Sequence, residues 1–214
     1  MMGHFRQNMI EYIKANIVAY FFMTLIFVIG VVVGALAVKT LPDDQKLELI
    51  GYLKIFFQGL AQGPGNIDTP ALLSTVMLGA AKTIGLMWLL GFTVVGIPFV
   101  LFIVFTRGFV IGFTVGFLIN EYIMTGLAFA LASVLPHNFF AVPAVLATGV
   151  AATSFSLMLV RRRQRAQVNL FTASLGYTIL CGLMLAVMLV AALIEVYISP
   201  VFMKLVAGLL LKQP

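Results

Sequence analysis

The chain has 214 residues, of which 62% are hydrophobic and only 9% carry a charged side chain. A soluble domain has about 25% charged residues, so this composition excludes a soluble globular protein. The net charge of +6 does not indicate nucleic-acid binding, because the basic residues border hydrophobic runs and form no groove with exposed aromatic residues.

We therefore expect an all-α polytopic membrane bundle that forms a single membrane domain over residues 1–214. About five transmembrane helices are predicted, with an amphipathic extracytoplasmic helix after the first. The single cysteine, Cys181, lies in an apolar segment, which excludes an intramolecular disulfide and a cysteine-based metal site. No metal or cofactor is expected.

The first predicted element is a membrane span over residues 17–38. As a helix this run extends about 33 Å, which is enough to cross a hydrocarbon core of about 30 Å. The triplet Ala35-Leu36-Ala37 is similar to a signal-peptidase site, but the apolar run is too long for a signal sequence. We therefore expect a retained anchor, with Gly30 and Gly34 on one small-residue face.

A polar segment follows and predicts an amphipathic helix over residues 43–62. Leu49, Leu53, Phe56 and Leu60 recur at helical spacing, and charged residues occupy the opposite face. The run Gly63-Pro64-Gly65 ends this helix. The helix either lies at the lipid interface or docks a partner protein.

The second span is predicted over residues 77–105, and the third over residues 108–135. Only Thr106-Arg107-Gly108 separates them, so Arg107 is interpreted as an anchor at the headgroups. Gly108, Gly112 and Gly116 line one face of the third span. This face is suited to close packing either inside the chain or in a homodimer.

Asn120 and Glu121 fall near the middle of the third span, which is long for one crossing. A carboxylate at the bilayer centre costs about 2.5 kcal/mol or more, so Glu121 needs a partner. Lys82 is a candidate partner for Glu121, or for Glu195 at the end of the fifth span. Alternatively, the third span is two half-helices broken near residue 120 that face a water-filled cavity.

The fourth span is predicted over residues 139–160 and the fifth over residues 170–194, followed by a short tail over residues 199–214. Positive residues favour a cytoplasmic N-terminus and an extracytoplasmic C-terminus in the cytoplasmic membrane. The predicted topology anchors are Arg107, Arg161, Arg162, Arg163 and Arg165.

The sequence Pro136-His137-Asn138 is interpreted as a turn between the third and fourth spans. Proline cannot continue the preceding helix, and Asn138 can cap the next one. A metal site would need further ligands, and His4 lies on the other side of the membrane in this topology. The chain also has no nucleophile motif such as G-x-S-x-G, so we expect no enzymatic activity.

The ordered runs LLGFTVVGIP, TRGFVIGFTVGFLIN, SVLPHNFFAVPA and TSFS resemble the stage II sporulation protein M family of multi-pass membrane proteins. The resemblance covers nearly all of the chain. The residues that match the family pattern are Gly91, Gly96, Pro98, Gly108, Gly112, Gly116, Asn120, Pro136, Asn138, Pro143 and Ser156.

This resemblance implies a five-span protein that works with two partners to remodel septal peptidoglycan during engulfment. The partners, which are extracytoplasmic peptidoglycan hydrolases, would carry the wall-cutting chemistry. The leading hypothesis is therefore a non-enzymatic membrane scaffold that recruits them through the amphipathic helix, the turn at residues 136–138 and the tail. The alternative is a transporter or permease subunit with a mid-membrane site near Glu121.

Overall fold

The computed structural model of the chain describes residues 11, 14–61, 69–162 and 170–203. The predicted features at His4, the turn at residues 63–65, Arg163, Arg165 and residues 204–214 lie outside the described residues. The side chains of Arg161 and Arg162 also lie outside them. Within the described part of the chain, the secondary structure is helical and contains no strand, which confirms the all-α prediction.

Within the described residues, five α-helices follow one another. They are α1 (Ile17–Ala37), α2 (Asp43–Ala61), α3 (Thr69–Gly91), α4 (Gly96–Arg162) and α5 (Leu170–Leu193). A short 3-10 turn, Val38–Thr40, extends α1, and a π-helical turn, Ile194–Ile198, extends α5. Each of the two turns continues the direction of a long apolar helix.

Five stretches of these helices are long and apolar enough to cross a membrane. We number them as spans 1 to 5: Ile17–Thr40, Pro70–Gly91, Gly96–Glu121, Gly126–Val160 and Leu170–Met203. Many of their large apolar side chains are exposed, which suits contact with lipid chains. The protein is therefore a polytopic integral membrane protein.

Helix α4 contains both span 3 and span 4. A straight helix of 67 residues would be about 100 Å long, at about 1.5 Å per residue. Leu118 nevertheless packs against Phe129 and Ala130, and Arg107 and His137 line the same cleft. The helix therefore doubles back between Glu121 and Gly126, and we call this point the hairpin end of the molecule.

The span boundaries differ from those read from the sequence. The apolar run predicted as one span over residues 77–105 is divided by the turn Phe92–Val95. The run predicted over residues 108–135 is divided at the hairpin end into parts of two full spans. As a result Arg107 lies within span 3, and Glu121 lies at the end of a span instead of its middle.

The predicted turn at Pro136-His137-Asn138 is also corrected, because these residues continue the helix of span 4. Pro136 removes one backbone hydrogen bond of this helix, the one to the carbonyl of Ala132 four residues earlier. The side-chain amide of Asn138 donates to the carbonyl of Val134 at 2.9 Å within this turn of helix. Asn138 thus bonds to the preceding turn of the same helix and does not cap a new one.

Glycines bring span 1 and span 3 into close backbone contact. A Cβ atom added to Gly108 or Gly112 would collide with the backbone of Phe27 or Val31, respectively. A Cβ atom on Gly116 would lie 3.0 Å from the Cα atom of Ala35. Gly30 and Gly34 make the reciprocal contacts with Phe105 and Phe109. The glycine face is therefore covered inside the chain by span 1.

Helix α2 lies at the hairpin end. Its Leu53 packs against the cluster formed by Leu118, Phe129 and Ala130, which belongs to the two arms of the α4 hairpin. On the exposed side of α2, Asp43 and Lys46 form an ion pair at 3.8 Å. The amphipathic helix thus contacts the bundle at the hairpin end through Leu53 and exposes charged residues there.

Candidate functional site

Polar side chains from spans 2, 3, 4 and 5 converge on one cleft of about 690 Å³. This volume is in the range of about 300–1,000 Å³ that is typical of small-molecule sites. Most of the lining is apolar. We use the name polar cleft for this space and for its main polar residues: Lys82, Thr83, Arg107, His137, Asn138 and Glu195.

Arg107 is held at one corner of the polar cleft. It follows the start of span 3, Gly96, by eleven residues, which places it about 16 Å along that helix. Its Nη2 atom donates a hydrogen bond of 2.7 Å to the hydroxyl of Thr83. That hydroxyl donates in turn to the carbonyl of Gly79 at 2.9 Å. A guanidinium has five N–H donors, and the bond to Thr83 uses one of them.

Glu195 is carried by the π-helical turn Ile194–Ile198. Such turns are rare in proteins, and many of those that occur are found at functional sites. Glu195 lies close enough to Arg107 and to His137 to interact with them electrostatically. Within the described part of the chain, however, the ion pair between Asp43 and Lys46 is the only one within 4.0 Å. The charges of Glu195 and Arg107 therefore face each other without direct contact.

His137 and Asn138 form the side of the cleft that belongs to span 4. The Nε2 atom of His137 lies 3.0 Å from the side-chain nitrogen of Asn138. An amide nitrogen only donates hydrogen bonds, so Nε2 accepts this one. The Nδ1 atom is buried and has no hydrogen-bond partner in the described chain, and the carbonyl of Ser133 lies nearby on the same helix.

The polar residues predicted to be buried are not buried: Lys82 and Asn120 are exposed, and Glu121 and Glu195 are half-buried. They form two groups. Lys82 and Glu195 line the same polar cleft. Asn120 and Glu121 lie at the hairpin end, where the amide of Asn120 donates to the carboxylate of Glu121 at 2.9 Å. The carboxylate of Glu121 thus has a neutral neighbour at the end of a span, and it is not part of the cleft.

Arg107 and His137 belong to the cleft, and sequence reasoning assigned neither of them to it. Both were placed at the ends of predicted spans, as a headgroup anchor and as a turn residue. One signal was available in the sequence, since the run from Gly96 to Glu121 is itself 26 residues long. Arg107 lies near the middle of that run, where an isolated cation requires a functional or structural partner.

A second polar arrangement holds the turn Phe92–Val95 between spans 2 and 3. The Ser156 hydroxyl on span 4 is 2.8 Å from the carbonyl of Gly91 and 3.1 Å from that of Thr93. The Tyr177 hydroxyl on span 5 is 3.2 Å from the carbonyl of Met87 and 3.0 Å from that of Trp88. Each hydroxyl has one proton to share between its two carbonyls. Gly91 and Trp88 are among the last four residues of α3, whose carbonyls lack helical donors, whereas the Thr93 carbonyl also accepts from the backbone N–H of Gly96.

Aromatic side chains pack around the same turn. Phe155 and Tyr177 stack with their ring centroids 4.6 Å apart. Phe92 lies edge-on to both rings and to Trp88, and the Trp88 indole N–H donates to Thr178 at 3.2 Å. We use the name turn cluster for Trp88, Phe92, Phe155, Ser156 and Tyr177. Four of the five spans are tied together near this cluster.

Several residues of the family pattern meet at the turn cluster. Gly91 is buried, and a Cβ atom there would collide with the Tyr177 hydroxyl. A Cβ atom on Gly96 would collide with the carbonyl of Leu90. Pro98 and Pro143, in contrast, are exposed on spans 3 and 4. The motif thus includes residues needed for the turn and residues on the outer surface of the bundle.

Comparison with known proteins gives one match. A family model described as Stage II sporulation protein M matches residues 23–200, which extend from span 1 to span 5. No match was found among the curated proteins or among the solved structures.

Proposed function

The chain belongs to the Stage II sporulation protein M family and is a sporulation-related membrane protein, and we propose that it acts as a non-enzymatic scaffold. In this role it anchors peptidoglycan hydrolases at the cytoplasmic membrane during septal wall remodelling and engulfment. The hydrolases carry the wall-cutting chemistry, and the chain fixes their position.

The position of α2 is the observation that carries this proposal. The helix contacts the hairpin end through Leu53, and it exposes Asp43, Asp44 and Glu48. A charged helical face outside the membrane is suited to polar contacts with a partner domain. Residues 136–138 cannot form a second contact with a partner outside the membrane, because His137 and Asn138 lie within span 4.

The distribution of polar groups supports the non-enzymatic part of the proposal. Within the described residues, the charged side chains that converge on one site lie in a cleft inside the spans. Peptidoglycan lies outside the membrane and cannot reach groups at this depth. Wall cutting by a partner protein is therefore the simpler arrangement.

We propose an orientation in which α2 and the hairpin end face the outside of the cell. The turn Phe92–Val95 carries no charged residue, so it gives no signal under the positive-inside rule. The orientation depends instead on the arginines at positions 161–163 and 165, which follow span 4. Five spans with a cytoplasmic N-terminus place this cluster inside and the C-terminus outside.

Co-purification tests the scaffold. The full-length protein would be solubilised in mild detergent from sporulating cells, and the accompanying wall hydrolases would be quantified by mass spectrometry. In the test variant, Asp43→Asn, Asp44→Asn and Glu48→Gln are combined. We expect this variant to recover several-fold less hydrolase than the wild type, because the exposed charges of α2 have been removed.

The matched control is Glu121→Gln, which removes an acidic charge at the same end of the molecule but outside α2. It should recover as much hydrolase as the wild type. Equal recovery with the triple variant would reject α2 as the recruiting surface. Failure to recover any wall hydrolase with the wild type would reject the scaffold itself.

A permease subunit is the second candidate function, and the polar cleft is the observation that favours it. Its charges lie within four spans, as substrate sites of transporters do. Glu121 no longer supports this function, because it lies at the hairpin end. Ion or proton flux into vesicles would test it. Transport through the cleft requires that Arg107→Gln abolish the flux and that Glu121→Gln leave it unchanged.

A further inference from the structure

We propose that the polar cleft binds the phosphate headgroup of a lipid that enters it sideways from the bilayer. This inference does not depend on the scaffold function. It follows from where the cleft opens, from the charges that line it and from its volume.

The cleft opens toward lipid and not only toward water. Leu86, Phe102 and Val110 line it and are 50%, 65% and 54% exposed, respectively. All three lie within spans 2 and 3, where exposed apolar side chains contact lipid chains. The opening between these spans is therefore accessible to a molecule already in the membrane.

The cleft also extends toward one membrane surface. Its lining includes Val76 near the start of span 2, Thr114 in the second half of span 3, and Glu195 near the end of span 5. These ends lie on the side of the hairpin end. A lipid of the leaflet on that side can place its headgroup between Glu195 and Arg107 while its chains stay among the apolar residues at the opening.

Arg107 and Lys82 provide the positive charge that a phosphate needs. Each is a cation within a span, and within the described residues neither forms an ion pair within 4.0 Å. A cation at this depth without a counter-charge in direct contact is costly. A phosphate placed between them would neutralise that charge, and the planar guanidinium can donate to two phosphate oxygens at once. The bond from Arg107 to Thr83 already orients the guanidinium for this role.

Glu195 determines which phosphate-bearing lipid fits best. Its carboxylate would repel a second anionic group, but it would attract the ammonium of a headgroup that carries both charges. Two lipid types share the required phosphate diester. Phosphatidylethanolamine adds an ammonium, and phosphatidylglycerol does not, so the two lipids separate the contributions of the cations and of Glu195.

Lipid retention by the full-length protein tests the proposal. The protein would be stripped of lipid in detergent and titrated with phosphatidylethanolamine, phosphatidylglycerol or diacylglycerol, and bound lipid would be counted by native mass spectrometry. We expect Arg107→Gln and Lys82→Gln each to weaken retention of both phospholipids about tenfold, the loss expected for one charge-assisted hydrogen bond. Arg107→Lys should recover part of the loss.

A control variant, a check of folding and one further test variant accompany this experiment. Lys39→Gln removes a positive charge at the end of span 1, outside the cleft, and should leave retention unchanged. Each variant must show the wild-type fluorescence of Trp88, which reports an intact turn cluster. Glu195→Gln should reduce any preference for phosphatidylethanolamine over phosphatidylglycerol, since it removes the partner of the ammonium.

Two results would overturn the proposal. One is retention of diacylglycerol as strong as that of the two phospholipids, which would mean that the phosphate contributes nothing. The other is wild-type retention by folded Arg107→Gln and Lys82→Gln variants. A preference for either phospholipid that is lost in both variants supports the site, and the Glu195→Gln result then identifies the headgroup.

Discussion

The hydroxyl of Ser156 donates to the carbonyl of Gly91, which precedes it by 65 residues, at 2.8 Å. Ser156 belongs to span 4, and Gly91 is the last residue of α3 in span 2. The bond lets the chain reverse direction at Phe92–Val95 without leaving a carbonyl unsatisfied in an apolar environment. Span 4 in this way stabilises a short turn that has no charged residue.

Replacing Ser156 with alanine should destabilise the turn cluster. The carbonyl of Gly91 loses its side-chain donor in a buried place, which costs about 1–3 kcal/mol, whereas the carbonyl of Thr93 keeps the backbone N–H of Gly96. Trp88 is the only tryptophan of the chain and lies at this turn, so its fluorescence reports the change directly. Thermal unfolding in detergent, followed by Trp88 emission, should show a lower midpoint for Ser156→Ala.

The matched control for this prediction is Ser174→Ala. The hydroxyl of Ser174 donates only to the carbonyl of Phe171 on its own helix, at 3.0 Å. Its loss should leave the midpoint nearly unchanged. If both variants unfold at the wild-type temperature, the bond between Ser156 and Gly91 does not contribute to the stability of the turn.

Adding a methyl group at Gly112 should separate spans 1 and 3. The new Cβ atom would collide with the carbonyl of Val31, and a backbone atom cannot move aside as a side chain can. We expect Gly112→Ala to lose about 1–3 kcal/mol of stability, as for an overpacked core. Thermal unfolding of the purified protein measures this loss.

Gly85 provides the control for Gly112, because an added Cβ atom there meets no atom within 4 Å. Alanine is the better helix former by about 1 kcal/mol, so Gly85→Ala should keep or raise the stability. Equal destabilisation by the two substitutions would show that span 1 does not pack on the glycine face of span 3.

Cysteine labelling distinguishes the span boundaries of the structure from those read from the sequence. In a Cys181→Ala background, a membrane-impermeant thiol reagent should label Asp44→Cys on α2 from outside the cell. It should label Val94→Cys, in the turn between spans 2 and 3, only after the cells are opened. Asn138→Cys should stay unlabelled in both cases, since Asn138 lies within span 4.

The sequence-based boundaries predict a different labelling result at one position. They place Asn138 in an outer turn, so efficient labelling of Asn138→Cys from outside would favour them over the α4 hairpin. Labelling of Val94→Cys from outside, with Asp44→Cys protected, would reverse the proposed orientation but leave the hairpin unchanged.

The attachment of α2 to the hairpin end should depend on Leu53. Leu53 packs against Leu118 and Phe129, whereas Leu47 on the same helix is 67% exposed. Truncation of a partly buried leucine costs about 1–2 kcal/mol, somewhat less than in a full core. Amide hydrogen exchange in α2 should therefore become faster in Leu53→Ala and stay unchanged in Leu47→Ala. Equal exchange in the two variants would mean that Leu53 does not hold α2 in place.

The fold class and the amphipathic helix could be read from the sequence because both depend on local properties. Span length and apolar content identify membrane helices. The spacing of Leu49 and Leu53 predicted the helix that the structure has over Asp43–Ala61. The spacing of Gly108, Gly112 and Gly116 likewise indicated a closely packed face, because small residues permit backbone contact whatever the partner is.

The tertiary structure decided where the chain reverses and which polar residues meet. Hydropathy is an average over a stretch of the chain, and it stays high across residues 92–95 because this turn contains no charged residue. The hydrogen bond that satisfies the Gly91 carbonyl at the turn comes from Ser156 on another span. Because span 3 begins at Gly96 and not at residue 108, Arg107 lies within this span and not at a membrane surface. The polar cleft then depends on four spans that contribute polar residues from positions 82 to 195, and only their packing brings these residues together.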